Sequence, residues 1–253
     1  MIAELLHAGL GWPIAIVLIG TSFLGSLITA GFGIGGGAVM LAVLATFVPP
    51  AAIVPVHGLV QLGSNAGRFF LFRKNVYTSM MTPFVLGSLA GIAVGGLSVV
   101  QLDAGALQIA VGLFILWTIL FRPPALMRKS AAVTGALSSF LTMFFGGTGP
   151  FVAAYIKTLE LDRITHVATH AACMTLQHLL KTIVFGLLGF AFSQWAGLIV
   201  LLIVSGFLGS VAGRHLLFRI NERFFIRLLN TILTILALRL IYAGATDIWF
   251  QAD

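Results

Sequence analysis

Charge is what this sequence has least of. Only 8% of its 253 residues are charged while 59% are hydrophobic, and a water-soluble domain of this size would not tolerate a mean hydropathy of +1.09. Acid is scarcer still: the carboxylates are Glu4, Asp103, Glu160, Asp162, Glu222, Asp247 and Asp253, all read as lying in termini or connecting loops. Cation-coupled carriers and proton pumps place Asp or Glu at membrane depth, where the carboxylate binds the ion; without one there, an anionic substrate is expected. The single cysteine, Cys173, excludes an intramolecular disulfide and any all-cysteine metal or iron–sulfur site within one chain, and reads as core filler. Met1 to Gly11 contains no Lys or Arg, so the start lacks a signal peptide's charged end and no cleavage is expected. The net charge of +7 comes from basic residues mostly in short loops between apolar runs, which reports membrane topology and excludes nucleic acid as the partner.

The chain that remains is a polytopic α-helical bundle. Ten apolar segments are expected, at about 12–31, 37–48, 51–72, 78–100, 104–121, 130–145, 150–159, 164–190, 194–214 and 224–245, with connections too short for a soluble domain. Two glycine clusters, Gly33-Ile34-Gly35-Gly36-Gly37 and Gly146-Gly147-Thr148-Gly149-Pro150, each precede a segment too short to span a hydrocarbon core of roughly 30 Å. A broken helix survives in the membrane only when its open backbone is buried in protein or lines a polar cavity. Paired breaks in corresponding halves are the best pointer in a sequence to a transporter's binding site. Thr148 before Pro150 suggests a helix N-terminus aimed inward, which would attract anions. The plainer reading is close helix packing through small residues.

Sliding the chain on itself by 113 residues aligns Ser26 with Ser139, Thr29 with Thr142, Phe32 with Phe145, Gly33 with Gly146, Gly36 with Gly149 and His57 with His170. The spacing predicts a duplication, with transmembrane repeats at 1–122 and 123–253. Basic residues at Arg73-Lys74, Arg122, Arg128, Lys129, Arg214, Arg219 and Arg223 follow the third, fifth and ninth segments. Counting every segment, or each broken pair as a re-entrant hairpin, puts these loops on the cytoplasmic side and both termini outside it, with the second repeat inverted relative to the first; counting each broken pair as a single crossing would make the repeats parallel and split the basic loops between sides.

Within the third segment, His57, Gln61, Asn65 and Arg68 share one helix face, and the same slide carries them onto His170, Met174, His178 and Lys181. A polar stripe facing lipid is costly, so the two stripes should face each other or the cavity beside the breaks. Lys181 is about ten residues from either end of its helix, too deep to snorkel comfortably, and is read as a substrate-charge partner or a structural lysine. Arg68, a turn from the Arg73-Lys74 loop, either snorkels or serves the site. His57, His170 and His178 either contact substrate or bond a neighbouring carbonyl. Ser26, Thr29, Ser139 and Thr142 either supply hydroxyl donors or bond back to their own helices. The candidate substrate-binding set is Gly35, Gly36, Gly37, His57, Gln61, Asn65, Arg68, Gly147, Thr148, Gly149, His170, His178 and Lys181.

The two glycine clusters, the length and the duplicated hydropathy resemble the TauE/SafE family of sulfite exporters and related organosulfur anion permeases. The resemblance covers nearly the whole chain. The stretch after the first cluster, Ala38-Val39-Met40-Leu41-Ala42, lacks the proline often found there in the family. The resemblance implies a non-enzymatic inner-membrane carrier that exports sulfite or an organosulfonate by rocking one repeat against the other, without a cofactor. Its partners would be the anion, the bilayer and, in a homodimer, a second copy. Three alternatives are a membrane carrier of another small organic anion, an anion channel and a membrane redox protein holding haem through His57, His170 or His178.

Overall fold

A computed structural model of the chain describes residues 2–99, 103–216 and 222–251. A short α1 (Ile2–His7) leads into ten longer helices: α2 (Trp12–Phe32), α3 (Gly36–Phe47), α4 (Pro50–Phe72), α5 (Met81–Ser98), α6 (Ala104–Leu120), α7 (Ala131–Phe145), α8 (Gly149–Lys157), α9 (Arg163–Leu187), α10 (Ala196–Leu216) and α11 (Glu222–Gln251). These are the ten expected segments, and no strand occurs among the described residues. The protein is an all-α polytopic membrane bundle. Residues 12–31, 78–98, 192–213 and 226–249 are each long and apolar enough to cross a bilayer, and Leu97, Leu187, Leu120 and Ile235 are among the large apolar side chains left exposed. In lipid that surface is solvated by acyl chains, so it needs no further cover.

One boundary differs with consequence. The last helix runs to Gln251, past the expected end near residue 245, because nothing in the stretch after it breaks a helix. Asp247 is therefore helical and inside the apolar span 226–249, not in a terminal tail. It sits against Gly105 at the start of α6, far along the chain from the polar stripes.

The helix ends follow from local chemistry. Asp103, Ser130 and Asp162 each accept a hydrogen bond from amides of the first turn that follows, meeting the donors that a helix start leaves unpaired. Gly33 and Gly146 close α2 and α7 with φ of 84° and 79°, a left-handed conformation that a side chain disfavours.

Both breaks are hairpins. Gly36 lies against Gly25 and Thr29, while Met40, one turn on, shares a wall with Thr21 and Ser22, so α3 runs back along α2. In the same way Tyr155 at the end of α8 packs with Ala131 at the start of α7. At nine residues α8 is only about 14 Å long.

Glycines decide which helices meet. A Cβ on Gly87 or Gly91 of α5 would stand 2.0 Å from the carbonyl oxygens of Ala132 and Ala136 on α7. On α10, Gly209 and Gly213 meet the carbonyls of Phe23 and Leu27 on α2 just as closely. With little hydrophobic drive between helices in lipid, such close backbone approach supplies dispersion contact. The fourth helix of each half thus packs on the first helix of the other, while α4 packs on α9 and α6 on α11. The polar stripes of α4 and α9 face each other at the centre.

Candidate functional site

A cavity lies where the two hairpin turns approach the middles of α4 and α9. Its walls include Gly35 and Gly37 from the first break, Gly146, Gly147, Gly149 and Pro150 from the second, His57, Gln61, Asn65 and Arg68 from α4, and His170, Met174 and His178 from α9. It leaves about 40 Å³ for water centres, where one buried water needs roughly 10 to 15 Å³. That is room for a few waters or one small anion. Ten of the thirteen candidate residues line it.

The other three do not. Gly36 faces the α2–α3 contact, where its Cβ would be 1.7 Å from the Gly25 carbonyl oxygen; its requirement is packing. Thr148 is fully buried but its hydroxyl has no hydrogen-bond partner, and it caps no amide of α8. Lys181 is also fully buried and stands one layer behind the cavity wall, with its Cε 2.6 Å from where a Cβ on Gly58 would be.

Arg68 does not snorkel. It is 1% exposed, donating through Nη1 to the Ser64 hydroxyl at 3.1 Å and the Ser210 hydroxyl at 3.4 Å, and through Nη2 to Asn65 Oδ1 at 2.7 Å. The helix turn that brings Ser64 under Arg68 and the approach of α10 with Ser210 hold the guanidinium inward. Every one of these acceptors is neutral, and Nε has none. Ser64 and Ser210 were missed by the sequence reading. Ser64 precedes Arg68 by one turn on the same face, a signal that was available; Ser210 comes from a distant helix, and no local pattern announces it.

The histidines tie the short helices in place. His57 Nε2 donates to the Gly37 carbonyl at 3.0 Å, and His170 Nε2 donates to the Gly149 carbonyl at 3.2 Å. Since a carbonyl only accepts, the Nε2 atom carries the proton in both rings. His178 stands edge-on to His57 with ring centroids 5.8 Å apart. These rings do not fit a haem: two have Nε2 engaged by backbone, and the cavity is far smaller than a macrocycle. Gln177, set beside the stripe, donates to Ser138 and Ser139 and joins α9 to α7.

The hydroxyls near the breaks, and some of the amides, are turned inward. Thr29 donates to the Gly25 carbonyl and accepts from the Gly36 amide, and Thr142 donates to the Gly146 carbonyl. The amides of Ala38 and Val39 bond Gly35, and that of Phe151 bonds Thr148. The amides of Ile34, Gly35 and Gly37 in the first break and of Thr148 and Gly149 in the second bond no backbone carbonyl, so the helix starts offer donors beside the Arg68 charge.

No curated protein and no solved structure matches the chain significantly. A family model described as sulfite exporter TauE/SafE matches residues 14–240, a stretch that holds both hairpins, both polar stripes and the cavity between them. The chain therefore belongs to the sulfite exporter TauE/SafE family, a family of membrane transporters of sulfite and related sulfur anions.

Proposed function

We propose that this protein exports a small sulfur oxyanion, sulfite or an organosulfonate, across the bacterial inner membrane, binding it in the cavity between the two hairpins. The observation that carries the proposal is Arg68: an enclosed guanidinium whose hydrogen-bond acceptors are all neutral. A charge buried in low dielectric without a partner is destabilising, and an arriving anion relieves that cost. The small cavity favours a compact anion over a long-chain one. An inside-negative potential drives an anion outward by ~2.3 kcal/mol per charge per 100 mV, so export needs no coupling ion.

The two hairpins, the matching order of long and short helices 113 residues apart and the reciprocal packing of α5 on α7 and α10 on α2 support two repeats inverted in the membrane. Rocking of one against the other then exposes the cavity to each side in turn. In purified protein, sulfite at about 100 times its Kd is expected to stabilise the fold by about 2.7 kcal/mol. A panel of sulfite, sulfate, methanesulfonate and acetate in which no sulfur anion raises the melting temperature would remove this reading.

Orientation has its own test. In a chain made cysteine-free by Cys173→Ala, single cysteines at Asn75 and Lys129, both exposed, are expected to react only with reagents reaching the cytoplasm. One at exposed Ser193 reacts from outside. Labelling of Asn75 and Lys129 from opposite sides is incompatible with inverted repeats.

A further inference from the structure

A second basic side chain lies in the α4–α9 interface, behind the cavity wall. Lys181 is fully buried and its Nζ has no hydrogen-bond partner. Its Cε lies 2.6 Å from where a Cβ on Gly58 would stand. Its electrostatic neighbours are His57 and His178, which line the cavity and each hold an Nδ1 without a partner. The other charged or titratable groups of these two helices are Arg68 on α4 and Arg163, His166, His170 and Cys173 on α9. Of the other helices that pack on this interface, α3, α5 and α7 contain no titratable side chain, α8 carries Tyr155 and Lys157, and α10 contains none before Arg214. Glu4, Asp103, Glu160, Asp162 and Asp247 lie in α1, in the connections or near the end of α11, so no described carboxylate balances either basic group.

We propose that the cavity is built for a doubly charged oxyanion, with Arg68 supplying one positive charge and Lys181 the second by taking up a proton as the anion arrives. The inference rests on the anion reading and deepens it. In the empty site a neutral amine avoids a second enclosed charge, which nothing nearby would stabilise. A dianion against Arg68 leaves one negative charge unmatched, and protonating Lys181 behind His57 and His178 matches it. The proton comes from water and no covalent bond to the anion forms. Anion and proton leave together, so each turnover moves one net negative charge.

Sulfate and methanesulfonate separate charge from shape, because both are tetrahedral at sulfur, differ by one charge and take up no proton near neutral pH. The wild type is expected to bind sulfate about ten-fold or more tighter than methanesulfonate, the size of a charge-assisted hydrogen bond. Calorimetry in buffers of different ionisation enthalpy should report one proton taken up per sulfate and none per methanesulfonate. Lys181→Met keeps the apolar stem; it should abolish the proton uptake and close the gap between the two anions, leaving methanesulfonate affinity within about two-fold. Gly58→Ala pushes on Cε while keeping the charge and should weaken sulfate selectively, which keeps the test open if Lys181→Met does not fold. Methanesulfonate bound as tightly as sulfate by the wild type, or a sulfate preference untouched in both variants, overturns the proposal. So does a wild type that binds sulfite but neither probe. Failure to bind any of the three anions would instead remove the underlying anion reading.

Discussion

Arg68→Gln is expected to lower sulfite affinity by about 100-fold while leaving the empty protein as stable as the wild type or slightly more so. The affinity loss follows from removing a charge-assisted hydrogen bond, worth roughly 1.5 to 3 kcal/mol, in a site with little other positive charge at its surface. The stability effect has the opposite sign for the same reason. An enclosed guanidinium held only by Ser64, Asn65 and Ser210 carries a desolvation cost that neutral acceptors offset poorly, so a neutral replacement of similar reach relieves it. A purely structural arginine would behave otherwise: its loss would lower the melting temperature of the empty protein and leave the ligand-induced rise intact. The measurement is therefore a pair of melting curves for each protein, with and without sulfite. A destabilised Arg68→Gln that still responds fully to sulfite would show that the residue braces α4 against α10 and does not bind.

The second large effect separates two glycines that the repeat makes equivalent. Gly36→Ala places a methyl 1.7 Å from the Gly25 carbonyl oxygen, and backbone cannot move aside as a side-chain end can. Overpacking of this kind costs about 1–3 kcal/mol where neighbours can adjust, and more is expected here, so the yield of folded protein should collapse. At Gly149 the nearest atom to an added Cβ is His170 Nε2 at 3.5 Å, an ordinary contact. Gly149→Ala should fold normally yet weaken sulfite binding, because the methyl enters a cavity with room for only one small anion. Size-exclusion profiles and sulfite-induced thermal shifts of the two variants check this. Normal folding of Gly36→Ala, or an undiminished sulfite response in Gly149→Ala, would contradict this division of roles.

Much of this architecture is legible in the sequence because lipid leaves the backbone few choices. Every buried amide and carbonyl must be paired within its own segment, so long apolar runs become helices, and the ends of those runs, marked by Pro, Gly or a capping Asp or Ser, become the helix ends. That is why the ten segments coincide with α2 to α11. The periodicity of His57, Gln61, Asn65 and Arg68 likewise placed four polar groups on one face, since 3.6 residues per turn is a local property.

What local pattern could not decide was direction and depth. Arg68 lies near the end of its helix in sequence and looked free to reach the headgroups; Ser64 and Asn65 on its own helix and Ser210 on the approaching α10 hold it inward. Lys181 looked like the group that meets the substrate, yet it lies against Gly58 behind the cavity wall. The glycine breaks looked alike, but Gly36 meets backbone and Gly149 meets the His170 ring at ordinary contact distance. In each case a deciding atom belongs to another helix, and the approach of that helix is set by close contacts between small residues. The sequence by itself determined which segments are helical, where they break and which faces are polar, because these follow from the chain's own hydrogen bonding and period. The tertiary structure alone decided which polar groups meet in the cavity and which are buried behind it, because that depends on how closely the backbones pack.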